Sequence, residues 1–328
     1  MKRRLACVLA VAMAAAVGGC AAVPATQAFD LQAHRGGRAL APENTLDAFT
    51  QAIALGVDTL ELDIQLTADG VVVISHDTAL NPDHTRDAQG RWLSGTGPTI
   101  GSLTLAELQR YDVGRLQPES SYGRQFARQV PRDGERIPTL AALFDQVHTS
   151  GATGIRFNIE TKLDPTRPGE TAAPEPMVRA LLAVIDRAQM GARVTVQSFD
   201  WRTLALVGQL APQLPRAYLT SPRTLRDSRW TAGLDAAGFS SVPSLVKAAA
   251  GDGTATVIWS PSFADVTPGQ VREAQALGLK VIPWTVNRRA DMARLLDWKV
   301  DGLITDEPDV LRNVMQERGM RVPHGGGH

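Results

Sequence analysis

Glu61 and Asp63 stand two residues apart in the run ELDIQLTADGVVVISHD, residues 61–77, and His76 follows before the run ends. Alternate residues of an extended strand point the same way, so the two acids share a face. The apolar alternation breaks at Ala68-Asp69-Gly70. Too few residues separate the two halves for a parallel crossover, so 71–77 must return as the antiparallel arm of a hairpin. With the turn centred there, Glu61 falls opposite or nearly opposite His76. A third acid, Glu160, closes the run FNIE and is followed by Lys162, while His34 and Arg35 open HRGG. Three converging carboxylates with no basic partner between them would repel one another and raise their own pKa values unless a cation sat among them. An all-oxygen donor set suits one hard divalent ion, Ca2+ or Mg2+, better than zinc. Taken singly, Glu61 or Asp63 would be half of an ordinary ion pair, and His76-Asp77 a hairpin-end cap. Their coincidence with a third acid, a second histidine, an arginine and a lysine is what points to a site.

The elements that must position these residues are short apolar runs alternating with helical patterns from residue 29 to about 318, the mark of β-α units around a parallel sheet. Eight barrel strands are predicted, at 30–35, 58–64, 155–160, 193–198, 215–220, 255–260, 280–286 and 302–305. Hence the expected fold class is α/β, a (βα)8 TIM barrel with a small insertion after the hairpin of the second strand. Such barrels place chemistry at the carboxyl ends of their strands, where His34, Glu61, Asp63, Glu160 and Lys162 all fall. Packing alone would put Val, Ile or Leu there. Helix ends are legible as well. PENTLDAFTQAIALG should start at Pro42 and Asn44 and end at Gly56, and VTPGQVREAQALG should close on Gly278. DEPDVLRNVMQERG should take Asp306 as its N-cap and Pro308 in its first turn. Residues 78–136 are polar, carry one helix announced by the capping box Thr104–Glu107, and are expected to cover the barrel's active end.

The 328 residues include 34 basic and 34 acidic side chains, so no global charge draws the chain to nucleic acid or to an acidic membrane. Hydrophobic residues make up 44 %, enough for one large domain, placed at 29–318. MKRRLACVLAVAMAAAVGGC reads as a secretory signal over 1–19. Gly18 and Gly19 before Cys20 resemble a bacterial lipoprotein cleavage box, with Cys20 the lipidated first residue; cleavage of a plain signal near Ala28 is the alternative. Cys7 is lost with the signal, leaving no cysteine pair for a disulfide. Residues 20–28 are a tether, and 319–328, ending in HGGGH, a flexible tail rather than a metal tract. The expected location is outside the cytoplasm, periplasmic or on the cell envelope, with membrane contact only through the lipid anchor.

The chain resembles the glycerophosphodiester phosphodiesterases in HRGG, PENT, ELDIQLTADGVVVISHD, IPTL, FNIETK, VQSFD, PWTVN and DGLITDEP, in that order from residue 34 to 308. The resemblance spans nearly the whole mature chain, with no functional position of the motif replaced. It implies a metal-dependent TIM-barrel hydrolase that cleaves small-molecule glycerophosphodiesters to sn-glycerol 3-phosphate and an alcohol. Glu61, Asp63 and Glu160 would hold the ion, and His34 and His76 would serve as acid and base, in an order the residues leave open. The nucleophile is either water or first the neighbouring glycerol hydroxyl. Arg35 can chelate two phosphate oxygens and Lys162 can supply a point charge. Gln197, Ser198, Trp284, Asn287 and Thr305 lie at later strand ends and would line the pocket, with Phe199 and Trp284 against the glycerol carbons. Glu43 and Asn44 either start a helix or support the site, and His84 and His148 are expected to be solvated or locally bonded. Rival functions are a lysophospholipase D or sphingomyelinase D activity, a phosphodiester-binding surface lipoprotein without turnover, and a metal-independent phosphatidylinositol-cleaving barrel.

Overall fold

The computed structural model describes residues 29–325, so the expected signal, Cys20 and the tether lie outside the described residues. Eight strands form the barrel: β1 (Asp30–Ala33), β2 (Thr59–Leu66), β4 (Arg156–Thr161), β5 (Val194–Ser198), β6 (Arg216–Thr220), β7 (Val257–Pro261), β8 (Lys280–Val281) and β9 (Gly302–Thr305). They pair in parallel in the order β8-β7-β6-β5-β4-β2-β1-β9. The amides of Asp301 and Ile304 donate to the carbonyls of Val281 and Pro283, and that of Val286 to Ile304, at 2.8, 3.0 and 3.0 Å, which closes the ring between β8 and β9. β8 is shorter than its predicted run of 280–286, where Pro283 has no N–H to give a ladder.

The hairpin is present. β3 (Val72–Ile74) pairs antiparallel to β2 with Ile64 opposite Ile74 and Leu66 opposite Val72, and the turn passes through Gly70 at φ +77°. The Ser75 amide donates to the Asp63 carbonyl at 2.9 Å, carrying the register one residue past the strand. Extended further, it sets Asp77 opposite Glu61 and His76 one residue short of it.

Period-two alternation sorts each barrel strand into an outer and an inner face. Leu31, Leu60, Leu62, Phe157, Ile159, Val196, Tyr218, Trp259 and Leu303 join the large core beneath the helices. Ala217, Ile258, Ile282 and Ile304 form a separate cluster inside the barrel. The surrounding helices are α1 (Leu46–Leu55), α4 (Leu140–Thr149), α5 (Pro174–Arg187), α6 (Trp201–Leu210), α7 (Val242–Ala250), α8 (Pro268–Ala276), α9 (Arg289–Asp297) and α10 (Pro308–Glu317). None among the described residues is long and apolar enough to cross a membrane.

Two predicted caps are displaced. The N-cap of α1 is Thr45, which accepts from the Ala48 amide at 3.2 Å, whereas Asn44 sits at φ +57° with its side chain turned toward the barrel. Glu307 stands at the N-cap of α10 in place of Asp306. Both displaced residues are drawn off by buried partners at the barrel mouth. The insertion holds two short helices instead of one: α2 (Leu105–Leu108), with its Thr104–Glu107 capping box, and α3 (Ser121–Gln125). Its apolar residues Leu80, Ile100, Leu108 and Val113 pack with Val73 and Ile137, while Leu116 and Phe126 pack on Ala39. The expected tail folds back as far as it is described: Met320 and Val322 pack on the core, and Arg312 donates to the Pro323 carbonyl at 2.6 Å.

Candidate active site

Glu61 and Asp63 project from β2 and Glu160 from β4, where Asp63 and Glu160 are register partners. All three are buried, and one oxygen from each lies within 4.8 Å of the others. Basic partners stand beside them. Arg35 Nε stands 3.3 Å from Asp63 Oδ2, and Lys162 Nζ lies 2.8 Å from Glu160 and 3.7 Å from the other Asp63 oxygen. The counter-charges come from the turns directly after β1 and β4, and Arg35 reaches inward because its backbone adopts φ +52°. Two cations do not quiet three acids. Burial, reinforced by the charges of Asp63 and Glu160, holds the Glu61 carboxyl well above its ordinary range. Burial also pushes Glu160 up to about 7, with Asp63 adding to the rise against the pull of Lys162. Asp63 is buried too, yet the charges of His76, Arg35 and Lys162 hold it below the usual carboxylate range. Its Oδ1, 3.7 Å from Lys162, accepts no hydrogen bond among the described residues. An orphaned carboxylate oxygen among acids under mutual repulsion fits a hard cation, and Glu61, Asp63 and Glu160 are the residues that could hold it.

The two histidines are each tethered at Nδ1. His34 meets Asp306 at 2.5 Å, and its Nε2 lies 3.9 Å from Glu61. Asp306, expected only as a cap, is buried at 1 % exposure and also accepts from Arg38 Nε and Asn287 Nδ2, each at 2.7 Å. His76 meets Asp77 at 2.7 Å, and Asp77 in turn accepts from Asn81 at 2.7 Å and lies 3.6 Å from His84. Burial lowers the pKa of His34. Burial, then the charges of Arg35 and Lys162, bring His76 down to about 4. Both rings are therefore neutral near pH 7, with the Nδ1 proton given to an aspartate and the Nε2 lone pair free to take a proton. His84 is locally bonded, and His148 is exposed on α4.

A ring of supporting residues holds this geometry. Asn44 donates to Asp63 at 3.1 Å and Gln197 to Glu61 at 2.6 Å. Glu43 accepts from Arg35 at 2.7 Å and from the Tyr122 hydroxyl, which itself accepts from Arg38 at 2.8 Å. Arg38 also lies over the Phe126 ring, 4.8 Å from its centroid. Thus α3 of the insertion clamps the turn that carries His34 and Arg35. Asp77 was visible in the sequence as the acid directly after His76 and Asp306 as a polar residue of DGLITDEP; Tyr122 and Arg38 gave no signal there.

Two chambers open onto the site. The inner one, about 150 Å³, is bounded by His34, Arg35, Glu61 and Gln197, and the outer one, about 470 Å³, by Asp77, Arg223 and Trp230. His76, Glu160, Lys162, Phe199 and Trp284 border both. Thr305, expected to line the pocket, borders neither; it is fully buried, donating to Asn287 at 3.2 Å and accepting from the Glu307 amide at 3.0 Å. Ser198 and Asn287 likewise serve internal bonds, to Thr161 and to Asp306.

A closed parallel barrel with acids, neutral histidines and fixed cations gathered at its carboxyl mouth has the makings of a TIM-barrel hydrolase acting on an anionic ester. The chain belongs to the glycerophosphoryl diester phosphodiesterase family, whose sequence model matches residues 34–310. It is 31 % identical to a glycerophosphodiester phosphodiesterase of Caldanaerobacter subterraneus subsp. tengcongensis, over 88 % of this chain and 98 % of that one. A glycerophosphodiester phosphodiesterase of Bacillus subtilis is 30 % identical over 86 % of this chain and 85 % of its own. Among solved structures, a protein of Silicibacter pomeroyi DSS-3 assigned as a glycerophosphoryl diester phosphodiesterase superposes with a TM-score of 0.81 at 37 % identity, covering 90 % of this chain and 95 % of that one. An Oleispira antarctica phosphodiesterase shares the fold at a TM-score of 0.63 and 24 % identity, over 88 % of this chain and 96 % of that one. The protein is thus an enzyme, a phosphoric diester hydrolase of the glycerophosphodiester phosphodiesterase class.

Proposed function

We propose that this enzyme hydrolyses glycerophosphodiesters to sn-glycerol 3-phosphate and an alcohol, with one divalent ion, Ca2+ or Mg2+, held by Glu61, Asp63 and Glu160, and with His34 and His76 as the proton-transfer pair. The observation that carries this reading is the buried acid trio, one oxygen of each within 4.8 Å of the others, set between two histidines tethered through Nδ1. A bound ion would withdraw charge from the non-bridging phosphate oxygens. Lys162, which borders both chambers, supplies a fixed positive charge to the same oxygens, and Arg35 holds Asp63 in place while backing that charge. One neutral imidazole takes the proton of the attacking oxygen at Nε2; the other enters the step as its imidazolium, with a proton taken from solvent, and gives that proton to the leaving alkoxide, after which the first ring sheds its proton to solvent. Asp306 and Asp77 keep each ring in the Nδ1–H tautomer and at a fixed angle. Phe199 and Trp284, edge to face at 5.3 Å, offer an apolar wall for the substrate's carbon skeleton.

The test is release of glycerol 3-phosphate from glycerophosphocholine by the purified mature chain, before and after EDTA and after Ca2+ or Mg2+ is restored, beside His76→Ala. Activity removed by chelation, restored by an ion and lost in the variant is expected. Activity that survives thorough chelation overturns the metal assignment, and choline release from lysophosphatidylcholine alone would replace the substrate. Export with a lipid anchor at Cys20 belongs to the same proposal, and Cys20→Ala should shift the protein out of the membrane fraction.

A further inference from the structure

The outer chamber holds one cation that the hydrolytic chemistry does not use. Three carboxylates border it, and each has local partners. Glu160 is paired with Lys162, and Asp77 is bonded to His76 and Asn81. Asp164 accepts from the Thr166 amide and hydroxyl at 2.8 and 2.5 Å and faces Arg167 Nε at 3.5 Å. Of the two bordering cations, Lys162 is committed to Glu160 and Asp63. Arg223 is exposed at the rim, just past β6, and among the described residues its guanidinium makes neither a hydrogen bond nor an ion pair. It lies over the Trp230 ring, 5.3 Å from the centroid. Trp230 is buried at 5 % exposure and stands edge-on to Phe199 at 6.5 Å, and Phe199 edge-on to Trp284 at 5.3 Å. An aromatic wall therefore runs from the histidine–lysine junction to a cation whose face is stacked and whose N–H edges are free.

The reacting phosphate, on the hydrolase reading above, sits where the chambers meet, at His76 and Lys162. A diester bound there sends one arm into each chamber. The small inner chamber suits the invariant glycerol arm, and the larger, open one the variable alcohol. We propose that Arg223 is a specificity-determining residue for that alcohol, selecting head groups that carry an anion, such as the carboxylate of glycerophosphoserine, over the purely cationic head group of glycerophosphocholine. Charge complementarity carries the assignment, since Arg223 is the one bordering charge without a partner among the described residues. It also covers the Trp230 face, which would otherwise be open to a quaternary ammonium, and repels that group.

The experiment compares kcat/KM for glycerophosphoserine and glycerophosphocholine in the wild-type chain, Arg223→Gln and Arg223→Lys, each at low and at high ionic strength. The wild type should favour the serine diester. The serine-to-choline ratio should fall about tenfold in Arg223→Gln, the size of one charge-assisted hydrogen bond near the surface, and only in part in Arg223→Lys. Added salt should compress the wild-type ratio and leave that of Arg223→Gln nearly flat. A ratio unchanged in Arg223→Gln, whatever happens to the absolute rates, overturns the assignment while leaving the hydrolase reading intact. Failure to turn over either diester with any divalent ion sinks that reading and this inference with it.

Discussion

The lumen of the barrel is divided. Along β1, β2, β4 and β5 the inward side chains include Gln32, Glu61, Asp63, Asn158, Glu160 and Gln197, whereas along β6, β7 and β9 and just past β8 they are Ala217, Leu219, Ile258, Ile304 and Ile282, with one polar exception, Ser260, whose hydroxyl donates to the Ile282 carbonyl at 2.6 Å. The second set is what a packed barrel interior ordinarily contains. The first set would be costly if left unsatisfied, and the chain satisfies it from within. Asn158 Nδ2 donates to Gln32 at 2.8 Å and to Gln197 at 2.9 Å, and Gln197 passes the support on to Glu61 at 2.6 Å. This amide chain ends on Glu61 and fixes that acid from inside the barrel. Among the described residues Asn158 Oδ1 is left without a partner inside this chain, and at the mouth Asp63 Oδ1 and the mutually repelling carboxyls are left unmet. One half of the lumen thus carries packing and the other carries chemistry. Substitutions in the two should fail in different ways.

The largest effect should come from the chemical side. His34→Ala and His76→Ala are each expected to lower kcat by roughly 10² to 10⁴-fold, the usual weight of a proton-transfer group, with little change in the urea midpoint. Comparable loss of stability would mean that the rings are structural and would erase the division. On the apolar side, Ile282→Ala should do the reverse. Ile282 is 2 % exposed, and its truncation should cost about 2 to 5 kcal/mol in urea unfolding, while the surviving folded fraction keeps its kcat.

Asp306 sharpens the comparison, because it leaves β9 on the apolar side and serves a histidine on the other. Asp306→Asn should lower kcat by about 10 to 100-fold through a loosened His34 ring, the scale seen when a supporting carboxylate is neutralised. Asp77→Asn should cost less, because the Asp77 side chain is 34 % exposed against 1 % for Asp306 and water can replace its bond.

The smallest effect is a dependence of metal stabilisation on pH. Glu160, raised to about 7 from an ordinary 4.5, keeps its proton on folding where the unfolded chain has lost it, so its contribution to stability falls as pH rises across that window. His76, lowered to about 4 from 6.5, acts in the opposite sense: its contribution is present above the ordinary value and is lost on acidification toward about 4. A divalent ion requires the acids ionised, so protons compete with it. The rise in Tm on adding Ca2+ or Mg2+ should therefore be larger at about pH 8 than at about pH 6. Equal shifts at both would remove the acid trio as the binding site.

Much of this is legible in the chain alone. The eight strand positions, the hairpin and the shared face of Glu61 and Asp63 follow from period two and from turn residues, which are local properties. Asn44 and Asp306 show where local rules give way. Each is a good helix-cap residue beside a helix start, yet Asn44 bonds Asp63 and Asp306 bonds His34, Arg38 and Asn287. A buried charge or amide with several partners outweighs one exposed cap bond. Thr305 shows the converse, a strand-end hydroxyl consumed by Asn287 and Glu307 before it could face the cavity.

Alternation, caps and turns act over a few neighbouring residues, so the barrel, the mouth at which its polar residues gather and the kind of chemistry those residue types support are all written locally in the chain. Which groups answer one another depends on the closed fold. His34 finds Asp306 at a separation of 272 residues, possible only once β9 closes against β1. Tyr122 reaches Glu43 from an insertion whose course has no periodicity to read. Arg35 and Lys162 become the counter-charges of Asp63 and Glu160, while Arg223 has no ion-pair partner among the described residues, because pairing depends on where closed strands point side chains and not on their spacing along the chain.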